Sequence, residues 1–254
     1  MAATERANVG LHPHIIGTLV ALEPRHDARV VDIGCGSGAM LLKLAAMGYT
    51  ALHGIDIVRP HADRAGIAFS ECDLDKLETG FDDESVDLIV SVEVFEHIEN
   101  LGSLLRELTR VLRRDGRMLI TTPNVHSVEA RLRYLLLGEL KQFDRIGDPT
   151  HITPLFMHPF EVLLRRHGLE ICERWGWPLD GSSPTSRTGL RAAGRVLRAL
   201  GLRASLSGDQ LCLVIRKVAS ATTASTSQDK LLAVTAHYGQ LRGDAGVKAG
   251  HDVR

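Results

Sequence analysis

No CxxC pair occurs in this chain. Its four cysteines, Cys35, Cys72, Cys172 and Cys212, stand far apart, so neither a disulfide framework nor a structural zinc site is expected. No window approaches the ~20 apolar residues of a membrane span, and no transmembrane segment is expected. The opening stretch MAATERANVG has no apolar run and carries Glu5, unlike a secretory signal. Charge of one sign is not in excess either. The 30 basic and 31 acidic residues give a net charge of −1, which makes no global pull toward nucleic acid or a membrane surface. A reducing, cytoplasmic setting is the expectation that these absences leave. No internal repeat is visible. Apolar residues make up 44% of the 254 and charged residues 24%, enough for a sizeable core.

Short apolar runs alternate with helical patterns. LHPHIIGTLVALE (11–23) reads as a leading helix, and 1–27 as an N-terminal helical segment. Strands are expected at 28–33, 50–58, 67–74, 86–92 and 116–123. Helices fall between them at 38–47, with Gly48 as its stop, and at 101–113, stopped by Asp115-Gly116. Residues 125–137 look helical, 138–152 irregular, and Pro159 suits the first turn of a helix running to His167. Two late strands, 169–177 and 210–218, flank an arginine-bearing helix near 187–203. Such alternation predicts an α/β fold: a doubly wound, mostly parallel sheet of about seven strands with helices on both faces. The domain is expected over 28–218, with an acceptor lid near 124–167. From Ala219 the composition turns to Ala, Ser, Thr, Gly and charge, so 219–254 is expected to be a disordered tail.

Sheets of this kind bind ligands at the carboxyl ends of their strands. There the chain places VVDIGCGSGAM (30–40). Gly34, Gly36 and Gly38 allow a sharp turn and close approach of backbone to ligand, and amides at a helix N-terminus offer donors to an anion. Asp32 favours a cation instead. A ligand with both carboxylate and ammonium groups satisfies the two. Asp56 ends the second strand, where a carboxylate can accept from both ribose hydroxyls of a nucleoside. Asp73 ends the third, suited to an adenine amino group, with Leu74 as an apolar neighbour. Gly34-x-Gly36-x-x-Ala39 also fits a dinucleotide fingerprint. Asp32 counts against that reading, because a carboxylate repels a pyrophosphate and attracts an ammonium.

After the fourth strand comes EVFEH. On a helix, Glu93, Glu96 and His97 share one face, and their oxygens and imidazole suit Mg2+ or Mn2+. His97 as general base is the competing role, since histidine titrates near pH ~6.5. One nitrogen cannot serve a metal and a proton together. A third reading is local: acids in a first helical turn complement the macrodipole. His126, after strand five, stands where an acceptor would enter. Arg187, Arg191, Arg195 and Arg198 form one basic helix face, read as solvated, and Trp175 and Trp177 share one strand face, read as core.

VVDIGCGSGAM, GIDI, ECDL, DLIVSVEVFEHIEN and LRRDGRMLITTPN together resemble the successive motifs of class I S-adenosylmethionine-dependent methyltransferases, above all the branch with the ubiquinone-pathway O-methyltransferases. The resemblance implies a Rossmann-like fold and S-adenosylmethionine as cofactor. Its implied binding set is Asp32, Gly34, Gly36, Asp56, Ile57, Asp73, Leu74 and Ser91, with the two glycines along the methionine portion and Ser91 facing the cofactor carboxylate or reaction centre. A similar E-x-x-E-H in that branch, and in small-RNA 2′-O-methyltransferases with a later histidine, implies a metal on Glu93, Glu96, His97 and His151. The implied reaction is methyl transfer to a hydroxyl oxygen of a small molecule or glycan. RNA 2′-O-methylation is the rival, disfavoured by the lack of basic excess. A non-catalytic nucleoside-binding protein and an NAD-dependent oxidoreductase are the readings from other classes.

Overall fold

The computed structural model describes residues 10–58, 67–76, 78–145, 147–179 and 207–218, with positions 188, 189, 192 and 196 between them. The expected basic helix near 187–203 and the expected tail thus lie wholly or mostly outside the described residues. Among the described residues seven strands form one sheet: β1 Arg29–Ile33, β2 Ala51–Asp56, β3 Ala68–Glu71, β4 Val86–Val92, β5 Leu112–Pro123, β6 Leu169–Trp177 and β7 Gln210–Lys217. Their order across the sheet is β3-β2-β1-β4-β5-β7-β6. Neighbours from β3 to β5 pair in parallel, and β7 runs antiparallel to both β5 and β6. The order reverses at β1, where successive crossovers leave in opposite directions and open a crevice beyond the strand ends.

Among the described residues there are five α-helices: α1 Leu11–Leu22, α2 Ala39–Ala46, α3 Leu101–Val111, α4 Val128–Leu137 and α5 Met157–Arg166. A strand buried on both faces must send successive side chains to opposite cores. Val31, Ile89 and Met118 pack with α3 and α5 on one face. Their chain neighbours Val30, Leu88 and Leu119 pack with α1 and α2 on the other. Leu11, Ile15 and Leu19 of α1 are wholly buried in that second core, so the leading helix is part of the sheet's packing. Trp175 and Trp177 fasten it there. The Trp175 indole donates to His14 Nε2 (2.9 Å), and the Trp177 ring lies over Gly10.

Several boundaries differ from expectation. The third strand ends at Glu71, before Asp73, while α5 keeps Pro159 in its first turn as expected. The helix α3 stops at Val111, not at Asp115-Gly116. Residues 113–116 bulge from β5 opposite Asp87, because pairing passes from Val86–Leu112 directly to Leu88–Arg117. The sequence showed Gly116 as a helix stop. In the fold it is needed because a Cβ there would lie 2.8 Å from Leu112 and 3.0 Å from the Asp87 carbonyl.

α3 carries Leu104, Leu105, Leu108 and Val111 into the core, and Asn100 caps it by accepting from the Ser103 amide at 3.1 Å. Its outer face ties down the loop before β4. Glu107 accepts from the Thr79 amide (2.9 Å) and hydroxyl (2.7 Å) and from the Arg110 guanidinium (2.7 and 2.8 Å). These donors, Arg110 first, hold the Glu107 carboxyl down at about 2. A depressed acid stabilises the fold above its unfolded pKa near 4.5, and that contribution is lost as pH falls through about 2. Glu107→Gln is therefore expected to be less stable at neutral pH and to show a flatter stability profile between those two values. Urea titrations across that pH range measure it; parallel profiles for both proteins would refute it.

Candidate active site

A cavity of about 730 Å3 opens at the carboxyl ends of β1, β2 and β4. On one side lies the turn after β1. Gly34, Gly36 and Gly38 all have positive φ (73°, 54° and 72°), a region that favours glycine. At Gly36 an added Cβ would meet nothing within 4 Å, whereas at Gly34 it would lie 2.4 Å from a Val94 methyl. The first glycine therefore permits close packing against the segment after β4, and the second leaves open space in the cavity. The turn's amides have partners within the protein. Those of Gly34 and Cys35 donate to the Ile55 carbonyl (2.8 and 3.1 Å) and that of Gly38 to Cys35. The Gly36 amide donates to Asp56 Oδ2 at 2.7 Å. The bonds from Gly34, Cys35 and Gly36 lock the turn onto β2.

Asp56 also accepts from the Val58 amide at 3.2 Å. Each carboxylate oxygen has two acceptor sites, so the group keeps capacity for two hydroxyl donors. Asp32 lines the cavity but is only 2% exposed. Burial, and then the charge of Asp56, push its carboxyl well above the usual range, so an ammonium beside it would relieve a real electrostatic cost. Ile57, Asp73 and Leu74 also line the cavity. Asp73 sits beyond β3, just before a short 3-10 turn (Leu74–Lys76), accepting from the Asp75 amide (3.1 Å) and pairing with Lys76 (3.1 Å); Lys76 first, then that amide, lowers its pKa. Ser91 departs from expectation. It does not line the cavity; it is buried inside the sheet, and its hydroxyl donates to the Ile33 carbonyl at 3.2 Å.

On the other side is EVFEH. No helix long enough to align its three groups forms, because the segment is a turn followed by a single 3-10 turn, Phe95–His97. Glu93 adopts a positive φ of 55°. Its amide donates to the Thr121 hydroxyl (3.1 Å), which in turn donates to Glu93 Oε1 (2.9 Å). Burial pushes the Glu93 carboxyl up to about 7. Glu96, fully buried, accepts from the Thr122 hydroxyl at 3.1 Å through Oε2, while Oε1 has no hydrogen-bond partner. Burial, and then Glu93, raise its carboxyl strongly.

Among the described residues, Glu96, His97 and His151 can bring three ligand atoms within 4.8 Å of one another. Glu93 is not in this group. Both imidazoles are oriented through Nδ1. That of His97 meets the Thr150 carbonyl at 3.1 Å and that of His151 the Gln142 carbonyl at 2.8 Å. A carbonyl only accepts, so the network assigns Nδ1–H to both rings and leaves each Nε2 lone pair available. Burial, then the neighbouring His151, lowers the His97 pKa. The Glu96 carbonyl accepts from the amides of Ile152 and Thr153, both at 2.9 Å, which seats the segment bearing His151 beside EVFEH.

Other lining residues carried no signal recognised in the sequence. His12 comes from α1; Gln142, Asp148 and Thr150 come from the stretch read as irregular. Asp148-Pro149-Thr150 is itself a turn signature, and Asp148 Oδ1 accepts from the Thr150 amide and hydroxyl (2.9 and 2.5 Å). His126, expected near the acceptor, does not line the cavity; its Nε2 accepts from the Met157 amide at 3.1 Å and caps α5.

The strand order and this crevice define a Rossmann-like nucleoside-binding architecture. Residues 14–174 match the family model described as "Methyltransferase domain", and the chain belongs to that family, with the fold of class I S-adenosylmethionine-dependent methyltransferases. It is similar to a ubiquinone biosynthesis O-methyltransferase of Azorhizobium caulinodans, 31% identical over 41% of this chain and 44% of that protein. Against one of Sinorhizobium medicae it is 27% identical over 61% of this chain and 64% of the relative. The match therefore spans only about half to two thirds of these relatives' length. A SAM-dependent methyltransferase from Archaeoglobus fulgidus shares the fold, with a TM-score of 0.53 and 21% identity over 81% of this chain and 94% of that one. No described helix is long and apolar enough to cross a membrane.

Asp56→Asn keeps the shape of the side chain and removes its charge. Hydrogen bonds to charged groups contribute about 1.5–3 kcal/mol, so S-adenosylmethionine is expected to bind roughly 10- to 100-fold more weakly. Calorimetric titration checks this; unchanged affinity would remove Asp56 from the cofactor site.

Proposed function

We propose that the protein transfers a methyl group from S-adenosylmethionine to a hydroxyl oxygen of a small molecule or glycan, beside a divalent cation held by Glu96, His97 and His151. One observation carries this reading: His97 and His151, whose ligand atoms lie within 4.8 Å of each other and of the buried Glu96, line the same cavity as Asp32, the glycine turn and Asp56. When bound, the cofactor supplies an electrophilic sulfonium methyl and the cation lowers the pKa of a coordinated hydroxyl. The protein's own part is placement. Asp56 accepts from the ribose hydroxyls, Asp32 faces the ammonium, and Asp73 with Leu74 borders the adenine end. The space in front of Gly36 takes the methionine portion. Names of the curated relatives agree with an oxygen acceptor.

The residues fit a cation on their own terms. Glu96 Oε1 is a buried oxygen without a partner, and two imidazoles present free Nε2 atoms. One carboxylate with two imidazoles suits Mn2+ better than Mg2+, which prefers an all-oxygen shell. With His97 Nδ1–H committed to Thr150, its one remaining lone pair goes to the cation, and the general-base role falls away. Glu93 stands outside the trio as a cavity-lining carboxyl.

Two measurements test the proposal. Labelled cofactor with a panel of phenols, sugars and RNA is expected to give O-methylated small-molecule or glycan product, abolished by excess EDTA and restored by Mn2+. Transfer undiminished by EDTA rules out the cation; product on RNA alone replaces the acceptor reading. His151→Ala is expected to weaken Mn2+ binding at least about tenfold while S-adenosylmethionine affinity is retained. Equal Mn2+ binding would exclude His151 as a ligand.

A further inference from the structure

Outside the cavity, Lys141 and Asp209 form a buried ion pair. Lys141 is 4% exposed and Asp209 1%, with Nζ on Oδ1. A buried pair adds little stability over apolar packing of the same volume, so its placement calls for another account. It joins the loop after α4 to the residue preceding β7. A second bond runs beside it, from Gln142 Nε2 to the Asp209 carbonyl at 3.2 Å. That carbonyl also accepts from the Asn124 amide at 2.8 Å, which fixes it to the end of β5.

Between these anchors, Gln142 adopts φ 67°, a conformation that a side-chain-bearing residue holds only when its surroundings impose it. The consequence is the direction of its carbonyl, which lies 2.8 Å from His151 Nδ1. Residue 147 is glycine where the chain passes this carbonyl; a Cβ there would lie 2.9 Å from the oxygen. The Phe143 ring packs against the same imidazole, with centroids 5.5 Å apart.

We propose that the Lys141–Asp209 pair is a positioning device for His151. It pins Gln142 in the left-handed conformation, and the Gln142 carbonyl then holds His151 in its Nδ1–H form with Nε2 turned to Glu96 and His97. The proposal rests on reading that trio as a cation site. It makes Lys141 and Asp209 positioning residues, two bonds removed from any ligand.

The test uses the full chain without metal. Long-range 1H–15N spectra of the imidazoles report the tautomer of His151, and titration with Co2+, followed by its visible absorption, reports the site. Wild-type protein is expected to show His151 as Nδ1–H. Lys141→Met is expected to shift it toward Nε2–H and weaken Co2+ binding about 10- to 100-fold, and Lys141→Arg to restore both. A folded Lys141→Met with the wild-type tautomer and Co2+ affinity overturns the proposal. If that variant does not fold, Gln142→Ala, which removes only the bond to the Asp209 carbonyl, takes its place; the same tautomer shift supports the proposal, and an unchanged Nδ1–H form overturns it. Wild-type protein that binds no Co2+ overturns the cation reading instead, and a tautomer shift in Lys141→Met then still supports the positioning role.

Discussion

The bond from the Gly36 amide to Asp56 is what the cavity depends on. It ties the turn after β1 to the end of β2, and the Gly34 and Cys35 amides reinforce it on the Ile55 carbonyl. Without it the glycines would have no reason to hold one conformation, since the freedom that lets them adopt positive φ also lets them leave it. The two strand ends then present Asp32 and Asp56 together, and Asp56 adds to the cost of charge on the buried Asp32. A protein accepts such a cost where a ligand relieves it.

The proposed cation side works by the same logic with different parts. Its acid is buried, leaving one oxygen without a partner, and its two imidazoles are turned by backbone carbonyls from a loop. Carbonyls accept only, so they decide which ring nitrogen is protonated without adding charge. The site's electrostatics therefore depend on main-chain geometry at Gln142 and Thr150, whose carbonyls turn the two rings.

Much of the architecture was legible in the sequence, because burial on both faces leaves a plain signature. DLIVSV and MLITT are nearly unbroken apolar runs, and the seven strands fall where those runs fall. The glycines and Asp56 were legible because few residue types serve at a turn that touches the next strand. Errors arose where local pattern and tertiary contact disagree. Glu93, Glu96 and His97 have helical spacing, but the chain after β4 turns too tightly for a helix, and Thr121 takes Glu93 instead. Ser91 has the polarity of a site residue but spends its hydroxyl inside the sheet. Gln142 gave no sign at all, because its role is carried by its carbonyl, which every residue has. The irregular stretch 138–152 hid the most: its structure comes from Lys141, Asp209 and the turn at Asp148, contacts too distant in sequence or too short for periodicity to register.

The contact between Gly34 and Val94 has a consequence for how this cavity can change over evolutionary time. A Val94 methyl sits where any side chain at position 34 would have to go, and Val94 lies two residues before Glu96. The proposed nucleoside and cation halves therefore share one steric joint. A lineage that enlarged residue 34 would need both a smaller residue at 94 and a different backbone turn, because φ 73° already favours glycine there, so position 34 is expected to stay glycine and to hold Val94 close beside it.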